Sequence, residues 1–216
     1  MGRRKRNANS YQRRAALREP YDIVLIVCEG TKTEPKYFEA LKFFYRLSSA
    51  NIKIVPSTTT DPLRSVLFAE KQLEAGDYDC VFCVFDRDSH GKFDVAVKRI
   101  EESDNGNAGK IRAIISWPCF ELWLLLHFKF TTKPYNAAGS KSSGDRVTQE
   151  LKRHYPTYRK GMETVFADTQ PLLSTAIRNA KSLTKHNLVA NSPNPATKVH
   201  LLVEYLRDLK SGAQTG

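Results

Sequence analysis

A chain of 216 residues with 41% apolar side chains, including 11 Phe, 9 Tyr and 2 Trp, has ample material for a packed core, which excludes a disordered or fibrous protein. Its 34 Lys and Arg against 23 Asp and Glu leave a net charge of +11, which points to an anionic partner, nucleic acid before a membrane surface. The four cysteines (Cys28, Cys80, Cys83, Cys119) lie in or beside apolar segments of a chain too large to need staples, which excludes a secreted disulfide framework and suits a reducing cytoplasm.

In chain order, residues 1–19 read as a flexible basic arm carrying Arg3, Arg4, Lys5, Arg6, Arg13 and Arg14. Such an arm either embraces nucleic-acid phosphates or only keeps the chain in solution. Polar residues follow its charges, so no secretory leader is expected, and the apolar run around WLLLHF is too short to span a bilayer. A soluble cytoplasmic protein is the expectation.

DIVLIVCE, residues 22–29, is β-branched and almost wholly apolar, the pattern of a strand buried on both faces. The helix after it has Thr31 or Thr33 as candidate cap, Pro35 in its first turn, and Tyr37, Phe38, Leu41, Phe44 and Tyr45 on one face. NIKIVPS (51–57) reads as a second strand, and Asp61-Pro62 as the start of a helix with Leu63, Val66, Leu67 and Leu73 on one face. CVFCVFD (80–86) is a third strand; alternation sends the side chains of Cys80 and Cys83 to opposite faces, so their CxxC spacing does not predict a zinc site. A helix over 92–103, a strand over 110–116 and an apolar helix CFELWLLLHF after Pro118 complete this part. Such alternation predicts a compact α/β core with a mostly parallel four-stranded sheet flanked by helices. From 131 the composition turns polar, and helices near 144–154, 168–183 and 195–209 read as a C-terminal lobe. The expected organisation is an arm (1–19), a core (20–130), and a linker with helical lobe (131–216).

The acidic residues fall where such sheets bind ligands, at the carboxyl ends of strands. Glu29 closes the first strand, and Gly30 allows a tight turn into the helix that carries Glu34 near its start. Asp86 and Asp88 follow the third strand two residues apart, so in extended geometry both point the same way. Like charges this close repel unless a cation lies between them, and hard oxygen ligands with open positions suit Mg²⁺. Arg87 then points to the other side. Glu121, in the first turn of the apolar helix, is a secondary candidate to face the carboxylates, whereas His127 reads as a hydrogen-bonded core histidine. His90 reads as a loop histidine within reach of a phosphate or metal. Lys160 reads as a solvated charge, with phosphate binding as the alternative.

CEGTKTE (28–34) paired with FDRD (85–88) resembles the Toprim domain of topoisomerases, bacterial primases and OLD-type nucleases. CFELWLLLHF, YRKG (158–161) and NPATKVHLLVEYL (194–206) narrow the resemblance to the RloB-like family of restriction and abortive-infection loci. The family pattern NPCFELW reads WPCFELW here, so no amide role carries over to Trp117. The resemblance implies Glu29 as general acid/base or metal ligand, Asp86 and Asp88 as the metal pair, and Glu34 as help for a second ion. It also implies a Toprim-like sheet, Mg²⁺- or Mn²⁺-dependent endonuclease activity on DNA or a tRNA-like RNA, and a co-encoded ATPase partner in antiviral defence. A homo-oligomer is compatible with it. The alternative function is a non-catalytic adaptor that binds nucleic acid or the ATPase. A primase-like polymerase is disfavoured by the short chain and the lack of a zinc module.

Overall fold

The computed structural model describes residues 21–57, 61–76, 78–87 and 91–212, with side chains as far as 209. Val24–Cys28 (β1), Ile52–Pro56 (β2), Cys80–Asp86 (β3) and Ile111–Trp117 (β4) run parallel in the order β2-β1-β3-β4. β1 and β3 take the centre because their unbroken apolar sequences can be covered on both faces. The sequence predicts four strands; among the described residues there is a fifth, Ala196–Thr197 (β5), antiparallel to β4. Two residues are too short to show a period of two. This strand is fixed by non-local contacts: Lys198 N–H donates to the Ile115 carbonyl at 2.8 Å, and the Ser116 and Thr197 hydroxyls meet at 3.1 Å.

The helices are Thr33–Phe44 (α1), Pro62–Glu74 (α2), Phe93–Glu102 (α3), Asp104–Asn107 (α4), Glu121–Phe128 (α5), Ser143–His154 (α6), Val165–Thr169 (α7), Leu173–Ala190 (α8) and Val199–Gly212 (α9). Alternation along the strands sorts them into two layers. Val24, Ile26, Phe82 and Val84 pack with α1, α5, α6, α8 and α9, whereas Leu25, Val27, Val81 and Phe85 pack with α2 and α3. Val147, Leu151, Tyr158, Phe166, Ala176 and Leu202, all beyond residue 131, belong to the same apolar cluster as β1 and β3.

Asp61 caps α2 as expected, its carboxylate accepting the Leu63 and Arg64 N–H groups at 3.0 and 3.4 Å. The expected cap of α1 is corrected. Lys32 occupies the cap position without a side-chain bond, and Thr33 lies inside the helix, its Oγ1 accepting the Gly161 N–H at 2.9 Å. Phe44 and Leu67, placed on apolar helix faces by the sequence, are half-exposed. The helix expected over 168–183 begins as α7, passes through a 3₁₀ turn at Gln170–Leu172, and continues as α8 to Ala190, where Asn191 adopts φ 47°. No helix among the described residues is long and apolar enough to cross a membrane.

Candidate carboxylate site at the sheet rim

β1 and β3 end side by side, Cys28 in register with Val84, and β3 continues two residues further to Asp86. The chain leaves β1 at Glu29, whose N–H donates to the Val84 carbonyl at 2.9 Å. Glu29 Oε2 in turn accepts the Asp86 N–H at 3.3 Å. The strand ends therefore bring together two acids 57 residues apart in sequence. Asp86 shares the parity of Phe82 and Val84, so it faces the α1 and α5 layer.

Two more carboxylates meet it there. Glu34, in the first turn of α1, is only 6% exposed, and Glu121, at the start of α5, only 3%. A Cβ on Gly30 would lie 2.3 Å from Glu34 Oε2, so any larger residue there would displace this carboxylate from its present position. Glu121 Oε1 accepts the Tyr158 O–H at 2.9 Å and stands 4.0 Å from Lys160 Nζ. Glu34 Oε2 is buried with no hydrogen-bond partner.

The electrostatics register one cluster. Burial pushes the Asp86 carboxyl well above the usual carboxylate range; the charges of Glu34, Glu121 and finally Glu29 add to the rise, and a Phe120 backbone N–H opposes it. Burial also raises Glu34, with Glu121 adding to the rise, while its own backbone N–H and Lys160 oppose it. Lys160 is held protonated chiefly by Glu121, then by Glu34 and Asp86. Four carboxylates thus share a rim at which Lys160 supplies the opposing charge.

A divalent cation fits these residues. The donors are hard oxygens, and a buried carboxylate oxygen without a partner is what a cation would satisfy. Among the described residues, no three His, Cys, Asp or Glu side chains converge into a ready-made metal cage. Mg²⁺ does not need one, since it ordinarily binds through one or two carboxylates and keeps several waters.

The structure thus gathers Glu29, Glu34, Asp86, Glu121 and Lys160. Lys160 is largely solvated, its side chain 65% exposed, and its ammonium stands 4.0 Å from Glu121 Oε1. Asp88 and His90, and the arm residues Arg3, Arg4, Lys5, Arg6, Arg13 and Arg14, lie outside the described residues. Arg87 is turned away from the acids, 3.3 Å from Asp94 and stacked 3.9 Å above the Trp117 ring. His127 is a core residue, its Nδ1 bonded to the Trp123 carbonyl at 3.0 Å. Sequence reasoning missed Tyr158 and Gly161. The YRKG turn docks on the first turn of α1 through Gly161, whose N–H reaches Thr33 and whose carbonyl accepts from Lys36 at 2.8 Å. A glycine beside a run of polar residues marks a turn in sequence, but not where the turn docks.

The chain is therefore a basic α/β protein whose mostly parallel sheet carries a carboxylate cluster at its C-terminal rim. A family model described as RloB-like protein matches residues 24–206, and the chain belongs to that family. Comparison with curated proteins and with solved structures finds no match.

Proposed function

We propose that this RloB-like protein is a divalent-metal-dependent nuclease with a Toprim-type site, hydrolysing phosphodiester bonds of DNA or RNA in anti-phage defence beside a partner ATPase. The unpartnered, buried Glu34 Oε2 next to Asp86 and Glu121 carries the reading, because such an oxygen is costly unless a cation is to be bound. The net charge of +11 supports an anionic polymer as substrate.

Glu29, Glu34 and Asp86 would hold Mg²⁺ or Mn²⁺, with Asp88 added by sequence. Bound there, the ion would neutralise charge on the phosphate and acidify a water. Lys160 places a second positive charge beside the same rim and holds a phosphate oxygen. Glu29, half-buried where the chain leaves β1, accepts the proton of the attacking water at its carboxylate. Glu121, fixed by Tyr158, orients Lys160 and leaves the phosphate to it.

The test is cleavage of plasmid DNA and of tRNA by purified protein with Mg²⁺ or Mn²⁺, with and without the partner ATPase. Glu29→Gln and Asp86→Asn should each lower cleavage on the order of a hundredfold or more. Nucleic-acid binding without cleavage under all these conditions, unchanged by either substitution, would instead mark a non-catalytic adaptor.

A further inference from the structure

The other face of the same rim holds a groove of about 510 Å³, between α3, the end of β4 and the C-terminal end of α8. Arg87, Phe93, Trp117, Leu188, Asn191 and Lys198 are among its lining residues. It lies one residue from the carboxylates: Arg87 follows Asp86, and Trp117 follows Ser116, which is in register with Asp86. A chain crossing the rim at Asp86 passes from one to the other.

The lining selects a ligand. The Arg87 guanidinium lies 3.9 Å above the Trp117 ring and 5.0 Å from that of Phe93, with Asp94 at 3.3 Å fixing one edge. The guanidinium thus lies over two aromatic rings, and it carries more N–H donors than one carboxylate accepts. The charges nearly balance, Arg87 and Lys198 against Asp94 and Glu101. A phosphate site would be strongly positive; this groove is largely apolar, holds the Phe93 and Trp117 rings, balances its charges, and has the Asn191 amide in its lining. Planar surfaces with amide groups suit an unpaired nucleobase, which stacks on aromatic and guanidinium planes. A groove of several hundred Å³ admits one.

We infer that this groove is a nucleobase subsite: an unpaired base stacks on the Arg87–Trp117 platform while its neighbouring phosphate lies at the carboxylate rim. The substrate is then single-stranded or locally unpaired nucleic acid, because a base within a duplex cannot enter. The inference rests on the nuclease reading of the rim, but its test is separable.

Trp117 is partly exposed whereas Trp123 is fully buried, so an occupant of the groove alters Trp117 emission. The full chain, kept in EDTA, is titrated with fluorescein-labelled single-stranded DNA, single-stranded RNA and the matching duplexes. Single strands should bind more tightly than duplexes and quench tryptophan emission, and the quench should vanish in Trp117→Phe. Arg87→Ala should weaken single-strand binding about five- to a hundredfold. Arg87→Lys, which keeps the charge and loses the plane, should not restore it. Unchanged melting temperatures separate these losses from misfolding. Single-strand binding that leaves Trp117 emission unchanged, or that Arg87→Lys restores in full, overturns the subsite while the rim reading stands. A wild type that binds no nucleic acid overturns both. Tight binding insensitive to Arg87→Ala also overturns the subsite and leaves the groove as a protein-docking face.

Discussion

A buried carboxylate oxygen without a partner destabilises the fold that holds it. Glu34 Oε2 is such an atom, and Asp86 is crowded by the same neighbours. Glu34→Gln or Asp86→Asn should therefore raise the melting temperature of metal-free protein at neutral pH, by about 2–4 °C for each kcal/mol recovered in a chain of this size. The pH dependence has a definite sign. Both carboxyls bind protons more tightly in the native than in the unfolded chain, so their cost is present above the native pKa values and is relieved as pH falls toward the ordinary range near 4. The advantage of the variants should be largest near neutrality and shrink on acidification. Added Mg²⁺ should raise the melting temperature of the wild type and have less effect on either variant; equal effects would remove these residues from any metal site. At this scale legibility follows sequence distance. Asp61 is readable as a cap because its partners, Leu63 and Arg64, are next to it. Thr33 is misread as one because the N–H it receives belongs to Gly161, 128 residues away. From its helix start Glu121 is no more than a candidate, and the Tyr158 hydroxyl that fixes it leaves no sequence signal.

α5 shows how an element can be read correctly and still hide its chemistry. Its run ELWLLLHF is apolar all round, and Glu121 to His127 are all buried, as expected of a helix covered on every side. Burial pushes the His127 imidazole down to about 4, against the bonds it makes to backbone carbonyls. The ring is neutral in the native chain, with Nδ1 donating to Trp123 and Nε2 buried without a partner. In the unfolded chain it titrates near 6.5. Its contribution is thus fully present above about 6.5 and is lost as pH falls toward 4, to a limit of about 3 kcal/mol. His127→Leu should flatten the fall of stability between these pH values in denaturant titrations, even if it costs about 1 kcal/mol at neutral pH through the lost hydrogen bond. An unchanged slope would mean that the ring is not the group responsible. β1 and β3 are legible because a short, unbroken, β-branched apolar run suits a strand covered on both faces and little else. β5 is not, because nothing local distinguishes two residues as a strand, and its pairing shifts the start of α9 from the expected 195 to Val199.

For the molecule as a whole, the decisive fact is what covers α5. Leu122, Trp123, Leu124, Leu125 and Leu126 are fully buried, in one cluster with Val147 and Leu151 of α6 and with Ala176, Ile177 and Ala180 of α8. The sheet's rim depends on these later elements too, since Tyr158 fixes Glu121 and the Gly161 turn pins Thr33 at the head of α1. A chain ending at residue 130 would expose to water the side of α5 that α6 and α8 cover, at roughly 1.5–3 kcal/mol for each large side chain uncovered, a large share of the stability of an ordinary domain. Residues 20–130 made alone should therefore lack a cooperative thermal transition and bind a hydrophobic dye, whereas the full chain should unfold in a single transition. A fragment that melts cooperatively would mean that the sheet and its first helices suffice for folding. The later helices would then act only on the rim, through Tyr158, Lys160 and Gly161, and the same fragment should hold Glu29 and Asp86 together while losing the positive charge beside them.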